Sequence, residues 1–236
     1  MDSTSCLDCP QGLCIHRVPL FSSLSRENLV RVAGLIQHKS FEKGAPLVAE
    51  GDRVEALTII NKGRVKAYRY TPEGREQILY LFSQGDFFGE QHLFGDYRAT
   101  YSVEALENCR VCLLTKSRLE QVLFAHPRVA ITLIAELGKR ISQMENTFQS
   151  IGVRSLDVRI ATLLLDFAAK YGEKTPEGTY VSLPISREGM ANYLGVARET
   201  LSRKLSKLEN ESIVRSLDLK TLLVKESRLR DLAGLS

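Results

Sequence analysis

The spacing of hydrophobic and polar residues changes along this chain, and the changes divide it into parts. Residues 24–34 show helical spacing, with Leu29, Val32 and Ala33 on the apolar side. From about residue 37 to 114, short apolar runs alternate with glycine-containing turns, which predicts a small antiparallel barrel or roll. The predicted strands cover 46–49, 56–61, 64–70, 76–82, 86–88, 100–105 and 110–114.

A long helix is predicted from about residue 128 to 152, after a shorter helix at 116–126 that Pro127 interrupts. Its apolar residues recur in alternating steps of four and three, which forms a heptad seam. The seam consists of Ala130, Ile134, Leu137, Ile141, Met144, Phe148 and Ile151. A helix that packs only on its own domain usually shows a wider apolar stripe, so the narrow seam predicts a homodimer.

Two short helices around a tight turn are predicted between residues 185 and 210. Ser186 suits the N-cap of the first helix, and Gly195 stands where a left-handed residue would end it. The second helix turns Leu201, Leu205 and Leu208 inward, and its wet face carries Arg198, Glu199, Ser202 and Arg203. Such groups hydrogen-bond bases and phosphates, which favours a DNA-binding helix-turn-helix over a plain helical hairpin.

The string Glu199-Thr200-Leu201-Ser202-Arg203 resembles the recognition helix of the CRP/FNR family of bacterial transcription regulators, whose FNR side carries E-x-x-S-R. Arg198-Glu199-Thr200 followed by Arg203 also fits the CRP side. By this resemblance, Glu199 accepts from a cytosine amino group, Arg203 donates to a guanine, and Ser202 touches a base edge. The resemblance implies a double-stranded inverted repeat with half-sites of the TTGAT type. The predicted DNA-binding set is Ser186, Arg187, Arg198, Glu199, Thr200, Ser202, Arg203 and Lys204.

The resemblance extends over nearly the whole chain and implies an α+β fold. Its parts would be a cyclic-nucleotide-binding-like β-roll (a double-stranded β-helix), a long dimerisation helix, and a C-terminal winged helix-turn-helix. The corresponding boundaries are 1–17 for a cysteine-rich N-terminal segment, 18–127 for the roll, 128–152 for the dimerisation helix and 153–236 for the DNA-binding domain. The wing hairpin is expected near 213–217 and 221–225.

The cysteines are the candidate sensory residues. The N-terminus lacks the charged and apolar regions of a secretory signal, so a reducing cytoplasm is expected, where thiols serve metal or redox chemistry. Cys6, Cys9 and Cys14 lie close together, and three near thiols with one distant thiol suit a [4Fe–4S] cluster. Cys109 and Cys112 face opposite sides of a strand, so only one of them can turn towards the N-terminal segment.

The cysteine pattern resembles the oxygen-sensing FNR branch of the family, and the resemblance aligns Cys112 as the fourth ligand. The spacing C-x2-C-x4-C is one residue shorter than the commonest FNR spacing. In this hypothesis oxygen damages the cluster and weakens the dimer. The alternatives are a Cys14–Cys112 thiol–disulfide switch, as in related proteins of low-GC Gram-positive bacteria, structural zinc, or no cofactor.

A second ligand of the family is a cyclic nucleotide, whose phosphate cassette resembles Gly89-Glu90 followed by Arg98-Ala99-Thr100. Glu90 could accept from a ribose hydroxyl and Arg98 could pair with a phosphate, with Thr100 beside them. The intervening loop is short, however, and Ala99 stands where a hydroxyl is needed. The sequence therefore predicts against a cyclic nucleotide, while a small-molecule effector in the roll stays an alternative.

Composition narrows the function classes further. The length of 236 residues is sufficient for two modest domains. The net charge of +4 permits nucleic-acid binding. No apolar run is long enough to span a membrane. The motifs of serine hydrolases, P-loop enzymes and zinc proteases are absent from the sequence, so we predict a regulator that is not an enzyme. RNA polymerase is the expected further partner.

Overall fold

The chain folds into two compact units, an N-terminal unit of Met1–Tyr70 with Ile78–Ser142 and a C-terminal unit of Gln143–Ser236 that also includes Thr71–Gln77. A computed structural model describes residues 18–90, 98–153 and 155–235, without the side chains of 143 and 146–153. Cys6, Cys9 and Cys14 lie outside the described residues, as do the side chains of Phe148 and Ile151.

The N-terminal unit begins with a 3-10 turn at Pro19–Phe21 and helix α1 at Arg26–Ala33. Ser25 caps this helix by accepting a hydrogen bond from the Asn28 backbone N–H at 3.4 Å. The predicted apolar side is confirmed, because Leu29, Val32 and Ala33 are all buried.

The strands of the N-terminal unit form two four-stranded sheets, which confirms the predicted roll. The strands are β1 Gln37–Phe41, β2 Pro46–Val48, β3 Ala56–Lys62, β4 Val65–Tyr70, β5 Glu76–Phe82, β6 Phe87–Phe88, β7 Ser102–Ala105 and β8 Cys109–Thr115. One sheet has the order β1-β8-β3-β6 and the other β2-β7-β4-β5. Strand β1 is absent from the predicted strands, because the sequence QHKSF has no apolar alternation and the strand lies at a sheet edge.

The turn at Gly63 shows why one of the roll glycines is needed. Its backbone is left-handed, with φ of +89°. A Cβ at this position would lie 2.7 Å from Cβ of Cys109 and 2.9 Å from the Asn108 carbonyl oxygen. Only glycine therefore satisfies both the turn and the close approach of β8.

Two hydrophobic clusters fill the N-terminal unit on different sides of the first sheet. The first, which we call the helix-side cluster, joins the 3-10 turn, α1, β8 and the helices that follow the roll. The second, the roll-interior cluster, joins the facing strands of the two sheets. Because β8 contributes to both clusters, alternate residues of this one strand belong to different cores.

Two helices follow the roll, α2 at Lys116–Ala125 and α3 at Pro127–Val153. Helix α3 has two apolar faces. Val129 and Leu133 are buried in the helix-side cluster, and Leu137 packs against it. The other face stays exposed in the single chain, with Ile131 at 66 %, Ile134 at 67 %, Ile141 at 58 % and Met144 at 43 %.

The C-terminal unit consists of helices around a small sheet with the order β11-β12-β10-β9. Its elements are α4 Leu156–Tyr171, β9 Gly172–Thr175, β10 Gly178–Ser182, α5 Arg187–Leu194, α6 Arg198–Asn210, β11 Val214–Ser216, β12 Thr221–Val224 and α7 Glu226–Ala233. The predicted wing hairpin is confirmed as β11 and β12, which pair antiparallel. None of the helices in the described ranges combines the length and apolar character needed to cross a membrane.

Candidate functional site

Helices α5 and α6 form the predicted helix-turn-helix. Ser186 caps α5 as expected, since its hydroxyl oxygen accepts from the Gly189 N–H at 3.1 Å. Gly195 ends α5 in the left-handed region, with φ of +66°. The Val196 N–H then donates to the Ala191 carbonyl at 3.0 Å, which closes the tight turn before α6.

Helix α6 buries one face and exposes the other, as its pattern predicted. Leu201, Leu205 and Leu208 are buried on the inner side. The outer side carries the exposed residues Arg198, Glu199, Ser202 and Arg203. Arg203 Nε donates to the Glu199 carbonyl at 3.4 Å, so this guanidinium stays within one turn of the carboxylate-bearing residue. A cation, a carboxylate and a hydroxyl thus share a single polar surface.

The other predicted DNA-binding residues lie in different surroundings. Lys204 is paired with Asp157 of α4, with Nζ 2.8 Å from Oδ1, and is half-buried. Arg187 is also half-buried and donates from Nη2 to the Ser216 hydroxyl of β11 at 2.6 Å. Thr200 is half-buried in the first turn of α6, whereas Ser186 is exposed and caps α5. Four of the eight predicted residues, Arg198, Glu199, Ser202 and Arg203, therefore share one exposed face. Arg187 and Lys204 instead bond other residues of the chain.

One residue that supports the turn escaped sequence reasoning. Arg159 of α4 donates from Nη2 to the carbonyl of Leu194, the last residue of α5. This carbonyl lies at the C-terminal end of a helix, where a cation is favoured. Nothing in the spacing of α4 marks Arg159, because its partner lies 35 residues further along the chain.

The two cysteines of β8 point into different cores. Cys112, 2 % exposed, lies in the helix-side cluster with Val18, Leu20 and Phe21. Cys109, 4 % exposed, lies in the roll-interior cluster. Burial raises the pKa of the Cys109 thiol, and the nearby Glu107 carboxylate raises it further. Cys112 shares its cluster with the first described residues after the N-terminal cysteines, whereas Cys109 does not.

His38 is the polar neighbour of Cys112. The two residues stand directly opposite each other on β1 and β8, and Cys112 Sγ lies 3.5 Å from His38 Nδ1. The other ring nitrogen, His38 Nε2, is buried and has no hydrogen-bond partner among the described residues. Within residues 18–90, 98–153 and 155–235, no three His, Cys, Asp or Glu side chains converge as a metal site.

Glu90 is the most buried carboxylate of the roll's described residues, and it is paired with helix α3. It is 2 % exposed, and its Oε1 lies 2.5 Å from Nη1 of Arg140 in α3. The same guanidinium donates from Nη2 to the Phe87 carbonyl and lies 4.5 Å from the centre of the Phe87 ring. Arg140 is thus held by charge, hydrogen bonding and a cation–π contact.

The residues predicted to form an effector pocket differ in their surroundings. Arg98 is exposed and donates from Nη1 to the Gly51 carbonyl at 2.9 Å. Thr100 is exposed, whereas Glu90 is buried. The remaining oxygen of Glu90, Oε2, is buried without a hydrogen-bond partner among the described residues. Burial raises the pKa of Tyr101, and the Glu90 carboxylate raises it further, so the phenol stays neutral beside this pair.

Comparison with known proteins assigns both units. The cyclic nucleotide-binding domain family matches residues 38–126, and the Crp-like helix-turn-helix domain family matches residues 158–232. The chain is a CRP/FNR-type transcription regulator. The second match includes the whole of α5, α6 and the wing, so DNA is a partner of the regulator.

Relatives of the regulator extend over both units. It is 27 % identical to a probable transcriptional regulator, flp, of Lacticaseibacillus casei, over 93 % of this chain and 98 % of that protein. It is 25 % identical to the fumarate and nitrate reduction regulatory protein of Vibrio cholerae, over 98 % of this chain and 91 % of that protein. A solved structure of a CooA mutant from Carboxydothermus hydrogenoformans is 20 % identical, with a TM-score of 0.76 over 91 % of this chain and 94 % of that chain, and shares the fold.

Proposed function

We propose that the regulator binds an inverted-repeat DNA site as a homodimer and reads bases through Glu199, Ser202 and Arg203. The exposed polar face of α6 is the observation that carries this proposal. Arginine can donate to both acceptors of guanine, and glutamate can accept from the cytosine amino group. Lys204 and Arg187 are assigned a supporting role, because their side chains are engaged with Asp157 and Ser216.

Dimerisation would supply the second recognition helix. Two copies related by a two-fold axis read half-sites about 34 Å apart, and tethering strengthens the binding of each half-site. The exposed face of α3 supports this arrangement, because Ile134 and Ile141 leave more than half of their surface uncovered in one chain. Isoleucines exposed to this extent along one helix are suited to burial against a second copy.

The DNA proposal is tested by fluorescence anisotropy on a duplex with two TTGAT half-sites in inverted repeat. We expect tighter binding to this duplex than to a shuffled duplex of equal composition, and a steep fall in affinity with salt because phosphate contacts release counterions. Equal affinity for the two duplexes at every salt concentration would exclude sequence-specific reading by α6.

We further propose that a [4Fe–4S] cluster held by Cys6, Cys9, Cys14 and Cys112 makes the regulator sensitive to oxygen. Of the two distal candidates, Cys112 fits this role better, because it shares the helix-side cluster with Val18, Leu20 and Phe21, whereas Cys109 belongs to the roll-interior cluster. A bound cluster would supply an oxygen-sensitive cross-link between the N-terminal segment and β8. RNA polymerase is the proposed partner of the DNA-bound protein.

The helix-side cluster offers a path from Cys112 to the dimer. Cys112 shares this cluster with Val129 and Leu133 of α3. When the N-terminal segment is held at Cys112, Val18, Leu20 and Phe21 stay packed beneath the helix. Release of the segment would weaken the packing of α3 in the helix-side cluster. The weaker packing would in turn disfavour the dimer.

The cofactor proposal is tested by purification without oxygen, followed by visible absorption and by iron and sulfide analysis. We expect the wild type and Cys109→Ser to carry iron and sulfide, and Cys112→Ser to lack them. A thiol–disulfide switch would instead leave a colourless protein whose Cys14 and Cys112 lose their free thiols in air, as measured by alkylation and mass spectrometry. A colourless, iron-free protein that binds DNA equally in air and under nitrogen contradicts both forms of sensing.

For the roll we propose that a cyclic nucleotide is not the effector, although the matching family is named for such ligands. The Glu90 carboxylate is paired with Arg140, and Arg98 is bonded to the Gly51 carbonyl. A nucleotide would have to displace one partner from each of these residues. Isothermal titration calorimetry with cyclic AMP and cyclic GMP is expected to give no saturable heat, and micromolar binding would contradict the proposal.

A further inference from the structure

Lys204 lies on the flank of α6, between the buried and the exposed faces of this helix. It follows the exposed Arg203 by about 100° around the helix, on the side that leads to the buried Leu208. An α-helix is about as wide as the major groove of DNA, so its flanks face the sugar–phosphate backbones that border the groove. A lysine on this flank could therefore add a phosphate contact to the base contacts of the exposed face.

The carboxylate of Asp157 in α4 holds the ammonium group of Lys204. Nζ lies 2.8 Å from Oδ1 and 2.9 Å from Oδ2, so the cation contacts both oxygens. The side chains of Lys204 and Asp157 are 34 % and 27 % exposed, which keeps the pair partly out of water. Asp157 lies in the first turn of α4, at the end of the helix where an anionic side chain is favoured. The charge of Lys204 is therefore directed towards the protein.

Asp157 is held in place relative to α6 by the rest of α4. Two residues further along the helix, Arg159 donates from Nη2 to the carbonyl of Leu194 at the end of α5. Ile160 and Leu164 of the same helix are fully buried. Because α4 is attached to both helices of the helix-turn-helix, the Asp157 carboxylate stays within reach of Lys204.

We propose that Asp157 withholds Lys204 from DNA, so that α6 binds its site without a phosphate contact from this lysine. The proposal rests on the DNA recognition proposed above. A phosphate contact strengthens binding to DNA of every sequence, because phosphates carry no base information. At physiological salt one such contact is worth about fivefold in affinity. Asp157 therefore lowers the general affinity of each α6 for DNA and leaves tight binding dependent on two linked half-sites.

The pair of Asp157 and Lys204 stays closed on DNA for two physical reasons. A phosphate could capture the lysine only by leaving the carboxylate without its cation, within a lysine's length of phosphates of the same charge, and like charges repel each other. The carboxylate is also part of the fold, whereas a new phosphate contact would have to order the lysine side chain again on binding. The internal partner is therefore favoured over the phosphate.

The first test replaces Asp157 by asparagine in the full chain, with anisotropy measured over a range of salt on the inverted repeat and on the shuffled duplex. For each phosphate newly contacted, we expect binding to both duplexes to become about fivefold tighter and the slope of log affinity against log salt to steepen by about 0.9. Asp231→Asn removes the same charge from an exposed position on α7 and is the matched control. An Asp157→Asn slope no steeper than that of Asp231→Asn would overturn the proposal.

A double-mutant cycle assigns the added contact to Lys204. Lys204→Met keeps an unbranched side chain of similar length and removes the charge. We expect it to cancel the steeper slope of Asp157→Asn and to have little effect on the slope while Asp157 is present. If Lys204→Met alone flattens the slope by about 0.9 for each subunit, Lys204 already contacts a phosphate and the proposal fails.

A further variant guards against loss of folding. Asp157→Ser also removes the charge, keeps a polar side chain in the first turn of α4, and should steepen the slope with an unchanged circular dichroism spectrum. Weaker binding by both Asp157 variants, with folding intact, would make Asp157 a purely structural partner and contradict the proposal. A wild type without preference for the inverted repeat would refute the proposed function. A selective wild type whose slope does not respond to Asp157→Asn would refute only the withholding of Lys204.

Discussion

Arg203 and Lys204 are neighbouring cations on the recognition helix, but their surroundings differ. Lys204 Nζ lies 2.8 Å from an oxygen of Asp157, whereas Arg203 is exposed on the outer face with Glu199 and Ser202. The sequence predicted both residues to meet DNA because both carry a positive charge on one helix. Helical spacing cannot separate them, since Asp157 lies 47 residues away.

Replacing Arg203 by alanine tests the base contact at the scale of one side chain. We expect a loss of about 1–3 kcal/mol on the duplex with the matched guanine, because a bidentate donor is removed, and a relaxed preference at that position. Anisotropy with duplexes that carry each of the four base pairs at this position measures both effects.

Arg228→Ala is the matched control for Arg203→Ala. It removes the same charge from an exposed position on α7. The control should retain the base preference of the wild type. If Arg203→Ala weakens binding to all four duplexes by the same factor, Arg203 contacts the backbone and not a base.

At the scale of elements, α3 shows where periodicity is informative and where it is incomplete. The heptad seam included Ile134, Ile141 and Met144, which are exposed, but it also included Leu137, which packs against the helix-side cluster. The pattern did not mark Val129 and Leu133, which are buried against the roll. A helix that packs on its own domain and also on a second copy has two apolar faces. A search for a single hydrophobic period identifies only one of these faces.

The exposed stripe of α3 leads to a prediction about self-association. Ile134→Asp combined with Ile141→Asp should convert the protein to a monomer, because each isoleucine buried in a dimer contributes about 1.5–3 kcal/mol and a buried unpaired carboxylate is unfavourable. Sedimentation velocity measures the change, and Val30→Asp, at an exposed valine of α1, is the control. A double variant that remains dimeric would place the interface elsewhere.

The pair of Glu90 and Arg140 links two elements, the roll and α3, and its partners should respond unequally to substitution. Arg140→Met leaves a carboxylate that is 2 % exposed without its cation, which should destabilise the N-terminal unit by about 3–5 kcal/mol. Glu90→Gln leaves a guanidinium that is 24 % exposed and still bonded to the Phe87 carbonyl, so the loss of stability should be smaller. Urea unfolding of both variants tests this order, and equal losses would contradict it.

Across the whole molecule, the sequence predicted the architecture well and the polar contacts poorly. Strand and helix periods, turn glycines and the cap at Ser186 reflect local physics, so the roll, the long helix and the helix-turn-helix were predictable. The contacts of Glu90 with Arg140, Arg187 with Ser216, and Arg159 with Leu194 join residues far apart in the chain. Such contacts depend on the assembled fold, which no local pattern encodes.

The proposed sensor predicts a response of the whole molecule to air. Oxygen should shift the wild type towards monomers and lower its affinity for the inverted repeat, because release of the N-terminal segment loosens the seat of α3. Cys112→Ser should behave alike in air and under nitrogen. Sedimentation velocity and anisotropy, carried out in both atmospheres, measure the two effects. A Cys112→Ser protein that still responds to air as the wild type does would remove this cysteine from the mechanism.

The shared placement of Cys112, Val129 and Leu133 in one core also constrains how this protein can change over evolution. A substitution that improves the packing of this core raises thermal stability. The same improvement keeps α3 packed after the proposed link between the N-terminal segment and Cys112 is broken. Thermal stability and the proposed response to oxygen therefore place opposite demands on the same few side chains. If Cys112 acts as proposed, a gain in thermal stability that leaves the response intact would have to come from the C-terminal unit, whose core does not include this cysteine.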